Sequence, residues 1–268
     1  FRLPLGGGRV EEVPLDLPAD GGVPFQQPRG EVGVHTGTLP RCARAMPPRH
    51  AHWGERGYHR TMALEITWLG RTCFRLKGRE GVVVTDPCSP ESGYRLPKLT
   101  ADVVTLSNKG DAQYSCVEAV SGHRRVFDAP GEYEVGGVLV TGIATKRQDG
   151  TRNVAYIFEL DGIRVAHLGL PGPGAVPDEL KGADILLFPA GGGNSLGGAA
   201  ATDAMNAVEA KIAIPMNFAT ELDAESGLDP VEKFFKESGS KPDPQPRLSV
   251  SKSQLPAQPT VILLDARS

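Results

Sequence analysis

Short apolar or alternating segments, typical of β-strands, dominate the chain from Met62 onward. They are rich in β-branched residues and are bounded by Gly, Pro or Asp. In chain order they read LEITWL, CFRL, GVVVTD, DVVTLS, RRVFDA, GVLVTG, VAYIFEL, IRVAHLG and ADILLFP. Asp161 and Gly162 separate VAYIFEL from IRVAHLG, and this pair predicts a hairpin with a two-residue type I′ turn.

Helical patterns are fewer, and three are predicted: DAQYSCVEAVSG, AATDAMNAVEA and LDPVEKFFKESG. In the last, Asp229 is the predicted N-cap and Pro230 fits the first helical position. Phe234 and Phe235 are expected to face inward, and Gly239 ends the helix. A strand pair, RLSVSKS and TVILLDA, is predicted to follow. This order predicts an α+β fold, a four-layer αββα sandwich with two sheets packed between outer helices.

The first 61 residues differ from the remainder of the chain. They contain 18 Gly plus Pro, eight Arg and no Lys, and their hydrophobic positions follow neither the strand nor the helix period. Residues 1–61 are therefore predicted to be a disordered or appended extension, and residues 62–268 a compact domain that begins at Met62. A native regulatory tail is the alternative.

Composition and charge exclude several classes of partner. The chain is 40% hydrophobic and 23% charged, as in soluble globular proteins, and its net charge is −3. That charge offers no broad attraction for nucleic acid or for an anionic membrane. The chain lacks an apolar run of the ~18–20 residues that span a bilayer, and its first residues lack the apolar core of a signal peptide. We therefore expect a cytoplasmic protein without nucleic-acid or membrane partners, and homo-oligomerisation is left open.

Six separated segments of the domain share the order of one known family: ITWLGRTCFRL, VVVTDPCSPESGYRLPKLTADVVTLS, APGEYEVGGVLVTGI, VAHLG, DILLFPAGG and IAIPMNF. In this order they resemble the metallo-β-lactamase-fold hydrolases, and the pattern is similar to the L-ascorbate-6-phosphate lactonase-like group. The resemblance covers nearly all of residues 62–268. It implies the four-layer sandwich and a zinc-activated water that attacks a carbonyl or phosphoryl centre.

The residues that the resemblance assigns to zinc are substituted here. The family's HxHxDH run corresponds to residues 108–113. Asn108, Gly110 and Gln113 occupy its His positions, and Ala112 occupies its Asp position. A one-residue shift would place Asp111 at the Asp position instead. Further ligand positions hold Arg71, Arg147, Leu170 and Asn217. The predicted former metal pocket therefore consists of Asn108, Gly110, Asp111, Ala112, Gln113, Arg147, Leu170 and Asn217. Behind it, Asp86 and His167 are expected to support the loops by hydrogen bonds.

These substitutions predict a pseudoenzyme with a binding or scaffold role, with no catalytic residue, no metal ligand and no cofactor, although the family implies zinc. Zinc needs about three or four converging N, O or S ligands, which the substituted positions do not offer. Arg147 could supply the positive charge instead, either paired with Asp111 or bound to a small anionic ligand. One alternative is an active hydrolase of a lactone, an ester or a phosphate-bearing small molecule. The other is a decaying sequence with no present function.

Overall fold

The computed structural model describes residues 63–174 and 176–266. The predicted extension over residues 1–61 and its boundary at Met62 lie outside these residues. The first seven strands are β1 (Leu64–Gly70), β2 (Cys73–Lys77), β3 (Val82–Thr85), β4 (Leu99–Thr100), β5 (Val103–Thr105), β6 (Val120–Ser121) and β7 (Arg125–Phe127).

Ten more strands and two α-helices complete the described fold. The strands are β8 (Gly131–Val135), β9 (Val138–Lys146), β10 (Arg152–Leu160), β11 (Ile163–His167), β12 (Ile185–Pro189), β13 (Ile212–Met216), β14 (Pro244–Gln245), β15 (Leu248–Val250), β16 (Thr260–Val261) and β17 (Leu263–Leu264). The helices are α1 (Gly198–Val208) and α2 (Glu232–Ser238). Neither α-helix of the described part is long and apolar enough to cross a membrane.

Two large sheets contain most of these strands. The first has the order β15-β1-β2-β3-β5-β7, and the second has the order β16-β13-β12-β11-β10-β9-β8. In the first sheet, β1, β3 and β5 run in the same direction. In the second sheet, β9, β11, β12 and β13 run in the same direction. Loops that follow these strands therefore emerge from the same edge of their sheet, and this edge carries the cavity described below.

The core lies between the two sheets and confirms the predicted α+β sandwich. Trp68 and Phe74 from the first sheet and Tyr156 and Phe158 from the second are fully buried in one apolar cluster. Helices α1 and α2 cover the outer face of the second sheet, where the Phe188 and Phe234 rings meet edge to face at 5.2 Å. The predicted hairpin is also confirmed, because Asp161 (φ 51°) and Gly162 (φ 73°) both adopt the positive φ of a type I′ turn.

The predicted helix over residues 111–122 is wrong. Two short 3-10 turns, Ala112–Tyr114 and Val117–Ala119, occupy that segment, and β6 follows them. Apart from the bonds within these short turns, the backbone bonds to a neighbouring loop: the amide of Cys116 donates to the carbonyl of Pro87, and the carbonyl of Gln113 accepts from the amide of Ser89. These bonds between loops replace the i to i−4 bonds of an α-helix.

Two further predictions about the end of the chain need correction. Helix α2 begins at Glu232 with Val231, not Asp229, at the N-cap. The Asp229 carboxylate instead accepts a hydrogen bond from Lys233. The Asp229 backbone bonds to Gly191 and Ala219 and so joins two loops. RLSVSKS and TVILLDA do not pair with each other. Strand β15 pairs with β1 in the first sheet, and β16 pairs with β13 in the second, so the end of the chain joins both sheets.

Candidate functional site

A cavity of about 880 Å³ lies at the edge where the parallel strands of both sheets end. The loops after β1, β3, β5, β9, β11, β12 and β13 each contribute to its wall. Because each of these loops follows the carboxyl end of a strand, residues far apart in sequence converge on one place. Four charged side chains dominate its interior: Arg71, Asp111, Arg147 and Asp223.

The first ion pair joins Arg147 and Asp111 across the two sheets. Arg147 follows β9 directly, and its Nη1 donates to Oδ2 of Asp111 at 3.0 Å. The other carboxylate oxygen of Asp111 accepts the backbone amide of Gln113 at 3.2 Å and so caps the 3-10 turn. The Arg147 side chain is only 8% exposed, and its Nε has no hydrogen-bond partner among the described residues.

The second ion pair joins Arg71 and Asp223. Their Nε and Oδ2 atoms lie 3.0 Å apart, but the Nε–H does not point at the oxygen, so the contact is electrostatic and neither atom is hydrogen-bonded within the described residues. The side chains are 9% and 3% exposed. Oδ1 of Asp223 accepts from both the amide and the hydroxyl of Thr220, at 2.8 and 2.9 Å, which fixes the carboxylate.

The backbones of Arg71 and Asn217 connect the ends of β1 and β13. Both residues have φ of 50°, in the left-handed region that non-glycine residues seldom occupy. The carbonyl of Arg71 accepts the amide of Asn217 at 3.1 Å and the indole Nε1 of Trp68 at 2.9 Å. The left-handed geometry at these two positions is therefore held by hydrogen bonds from the surrounding structure.

Tyr114 lies in the same wall, between the charged groups. Its hydroxyl donates a long bond of 3.4 Å to Oδ1 of Asn217. Burial raises the pKa of Tyr114 to about 12, while the positive charge of Arg71 opposes this rise. Asp111 and Arg147 also act on the pKa of this phenol, in opposite directions. Tyr114 is therefore a neutral donor at physiological pH.

Asp86 and His167 lie behind the cavity wall and are almost fully buried. Oδ1 of Asp86 accepts the amide of Ser107 at 2.6 Å, and burial raises the pKa of its carboxyl to about 7. His167 Nε2 lies 2.9 Å from the carbonyl of Thr72, while its Nδ1 accepts the amide of Gly169. Burial lowers the pKa of His167 to about 4, so the imidazole is neutral and carries its proton on Nε2.

The structure brings together part of the predicted pocket. Five of its eight residues line the cavity: Asp111, Gln113, Arg147, Leu170 and Asn217. Asn108, Gly110 and Ala112 do not. Asn108 turns its side chain back to accept the amide of Gly110 at 3.0 Å, and Ala112 is exposed. This local hydrogen bond thus directs the side chain of Asn108 away from the cavity.

Several lining residues were missed in the predicted set. Arg71 occupies a substituted ligand position but is not in the predicted pocket, although its place after WLG marks it. The sequence predicts a helix at Tyr114. Asp223 lies in the irregular segment after IAIPMNF, where no periodicity or motif marks it.

The donor groups of the cavity do not fit a zinc ion. Among residues 63–174 and 176–266, no cluster of three or more His, Cys, Asp or Glu side chains could hold a metal. Two guanidinium groups occupy the interior; the buried Asp223 lies beside Arg71, and the half-buried Asp111 binds Arg147. The Leu170 side chain is apolar and offers no atom to a metal ion. Arginine cannot lose its proton, so Arg71 and Arg147 cannot serve as zinc ligands.

Comparison with known proteins places this fold in a family. A model of the β-lactamase superfamily domain matches residues 65–217. A Thermotoga maritima structure, described as an inferred Zn-dependent hydrolase of the metallo-β-lactamase superfamily, is 34% identical, with a TM-score of 0.63 over 75% of this chain and 98% of its own. A UPF0173 metal-dependent hydrolase from Archaeoglobus fulgidus is 25% identical over 66% of this chain and 92% of its own length. A Pyrococcus furiosus UPF0173 protein is 28% identical over 65% and 90%.

These relatives correct the prediction that no cofactor belongs to the protein. The Archaeoglobus protein is described as metal-dependent and the Thermotoga protein as Zn-dependent, so a metal cofactor is a property of this group. The prediction of no cofactor is therefore wrong, although the described residues of the cavity offer no set of ligands through which a metal-dependent step can be derived. The family model and the sandwich of two sheets agree, and the chain belongs to the metallo-β-lactamase superfamily.

Proposed function

We propose that this superfamily member uses the cavity to bind a small anionic ligand, in a binding role rather than a hydrolytic one. One observation carries the proposal: Arg71 and Arg147 line the same cavity, their side chains are at least nine-tenths buried, and in the described part of the chain no hydrogen bond engages either Nη of Arg71 or Nη2 of Arg147. Each guanidinium has five N–H donors, and one carboxylate cannot satisfy them all.

Buried polar donors are costly when they lack an acceptor, so the free donors favour a ligand that brings several oxygens. Carboxylates and phosphates suit the planar guanidinium group, which can bind them through two parallel hydrogen bonds. The neutral hydroxyl of Tyr114 adds a donor nearby, and the side chains of Gln113 and Asn217 can bind uncharged parts of a ligand.

The binding role is supported by the positions of the potential bases. Hydrolysis needs a group that activates water, and such a group must come within hydrogen-bond reach of it. Asp86 and His167 are both buried behind the wall, and neither lines the cavity. Asp111 and Asp223 line it, but each is engaged by an arginine. The other carboxylates of the lining, Glu91, Glu221 and Glu225, are exposed to solvent.

Calorimetric titration with inorganic phosphate and with phosphate monoesters tests the proposal. We expect Arg147→Ala to weaken binding at least about tenfold, because a charge-assisted hydrogen bond contributes roughly 1.5–3 kcal/mol. Arg125→Ala is the matched control, since Arg125 is exposed on β7 and does not line the cavity. Equal binding by wild type and Arg147→Ala would refute the anion site.

A second candidate is a hydrolase of a lactone, an ester or a phosphate-bearing molecule, and the description of the Archaeoglobus relative as a metal-dependent hydrolase favours it. The same preparations should be assayed for lactone and phosphate-monoester hydrolysis, with and without added zinc. Turnover that Arg147→Ala abolishes and Arg125→Ala retains would replace the binding role with catalysis at this cavity.

A further inference from the structure

We propose that the ligand is dipolar, with an anionic group that contacts Arg71 and Arg147 and a cationic group that contacts glutamates at the mouth of the cavity. This inference rests on the proposed function and extends it to a class of ligand. It follows from the charges along the cavity wall, which balance in the interior and are negative at the mouth.

The interior alone has no net charge. Arg147 is paired with Asp111, and Arg71 lies beside Asp223, so two positive charges meet two negative charges. The arginines still have donors to offer, because among the described residues no hydrogen bond engages either Nη of Arg71 or Nη2 of Arg147. The interior therefore offers hydrogen bonds to an anion without a large attractive field.

The mouth adds three negative charges. Glu91, Glu221 and Glu225 all line the cavity and are exposed, and none forms an ion pair within the part of the chain that the structure describes. The whole cavity lining thus carries two cationic and five anionic side chains. A ligand that is only anionic would meet repulsion as it enters, and a cationic group on the same ligand would offset that repulsion.

Contacts between two loops hold the glutamates at this mouth. A Cβ atom built on Gly93 would lie 2.5 Å from the carbonyl oxygen of Leu222, so the loop of Glu91 touches the loop of Glu221. The hydroxyl groups of Tyr94 and Thr220 join the same two loops by a 2.7 Å hydrogen bond. Leu222, 43% exposed, also lines the cavity and offers apolar surface to the carbon chain of a ligand.

Alkyl phosphates and ω-aminoalkyl phosphates of matched length, from ethyl to hexyl, test the inference by calorimetric titration at neutral pH. Each pair differs only in a terminal ammonium, and the series measures the spacing between interior and mouth. We expect at least one aminoalkyl phosphate to bind about fivefold more tightly than its alkyl partner, since one exposed ion pair contributes up to this factor.

The triple variant Glu91→Gln, Glu221→Gln and Glu225→Gln should abolish this preference and retain binding of the alkyl phosphates. The triple Glu132→Gln, Glu134→Gln and Glu237→Gln is its matched control, because these exposed glutamates lie outside the cavity and change the net charge equally. The control should keep the preference.

Two outcomes would overturn the inference, and only the second would also overturn the proposed anion-binding function. If both phosphate series bind wild type equally at every length, and more tightly than they bind Arg147→Ala, the ligand is anionic but not dipolar and the proposed function stands. If neither series binds wild type more tightly than Arg147→Ala, the anion site itself is absent and both proposals fail.

Discussion

The amide of Asn217 donates a 3.1 Å hydrogen bond to the carbonyl of Arg71, and both residues have φ of 50°. This bond joins the end of β13 in the second sheet to the end of β1 in the first. It therefore fixes two parts of the cavity wall relative to each other. Left-handed backbone at a non-glycine residue costs free energy and persists only where the surroundings hold it.

Asn217→Ala should destabilise the protein by about 1 kcal/mol more than Asn217→Gly. Both variants lose the amide that accepts from Tyr114, but only alanine places a Cβ at a positive φ. Equilibrium unfolding in urea measures the difference. Equal stability of the two variants would show that the left-handed backbone at this position carries no cost.

Asp111 and Arg147 should be energetically coupled. A double-mutant cycle with Asp111→Ala and Arg147→Ala should give a coupling free energy of about 1 kcal/mol, because each single variant leaves its partner largely buried and unpaired. The exposed pair Lys181 and Asp178 is the matched control, and its cycle should give a much smaller value. Purely additive effects at Asp111 and Arg147 would contradict the ion pair.

Gly93→Ala should destabilise the protein and displace the loop that carries Glu91. The φ of Gly93 is 87°, and the added Cβ would clash with the backbone oxygen of Leu222 at 2.5 Å. We expect a loss of about 2 kcal/mol. Gly150→Ala is the control, because its φ is 82° but nothing lies within 4 Å of the new Cβ. Its loss should reflect backbone strain alone, and an equal loss in both variants would show that the loops are not in close contact.

Asp86 and His167 should affect the pH dependence of stability in opposite directions. His167 has a folded pKa of about 4, below its usual 6.5, so it removes stability as the pH falls from 6.5 to 4. Asp86 has a folded pKa of about 7, above its usual 3.8, so it removes stability as the pH rises from 3.8 to 7. The two effects largely cancel in the wild type between pH 4 and 6.5.

Asp86→Asn removes the contribution of Asp86 to the pH dependence of stability and leaves that of His167. Between pH 6.5 and 4, the free energy of unfolding of this variant should fall more steeply than that of wild type. The loss in the variant should exceed the loss in wild type by at most about 3 kcal/mol. Urea unfolding across this range, with Asp243→Asn as an exposed control, measures the slopes. A variant whose slope matches that of wild type would contradict the raised pKa of Asp86.

The strands and the hairpin at Asp161 and Gly162 could be predicted because period-2 hydrophobicity and turn chemistry are local properties of the sequence. The predicted helix over residues 111–122 is wrong because the structure of this segment depends on hydrogen bonds to the distant residues Pro87 and Ser89. The predicted pairing of the final strands is wrong for a similar reason, since the sequence of a short strand does not reveal which sheet it joins.

The lining residues of the cavity could be predicted from the sequence only where they occupy ligand positions of the family pattern. Arg147 and Asn217 were placed by that pattern, and both line the cavity. Asp223 has no motif, and it reaches Arg71 only because the loop after β13 folds back over the end of β1. Asn108 was misplaced because its amide side chain forms a local turn with Gly110, which a family position alone does not show.

A crystal structure of the protein with an ω-aminoalkyl phosphate tests the anion site most directly. We expect the phosphate group within hydrogen-bond distance of the guanidinium groups of Arg71 and Arg147, with the ammonium near Glu91, Glu221 or Glu225. A phosphate bound elsewhere, or a metal ion coordinated by side chains of this cavity, would contradict the account.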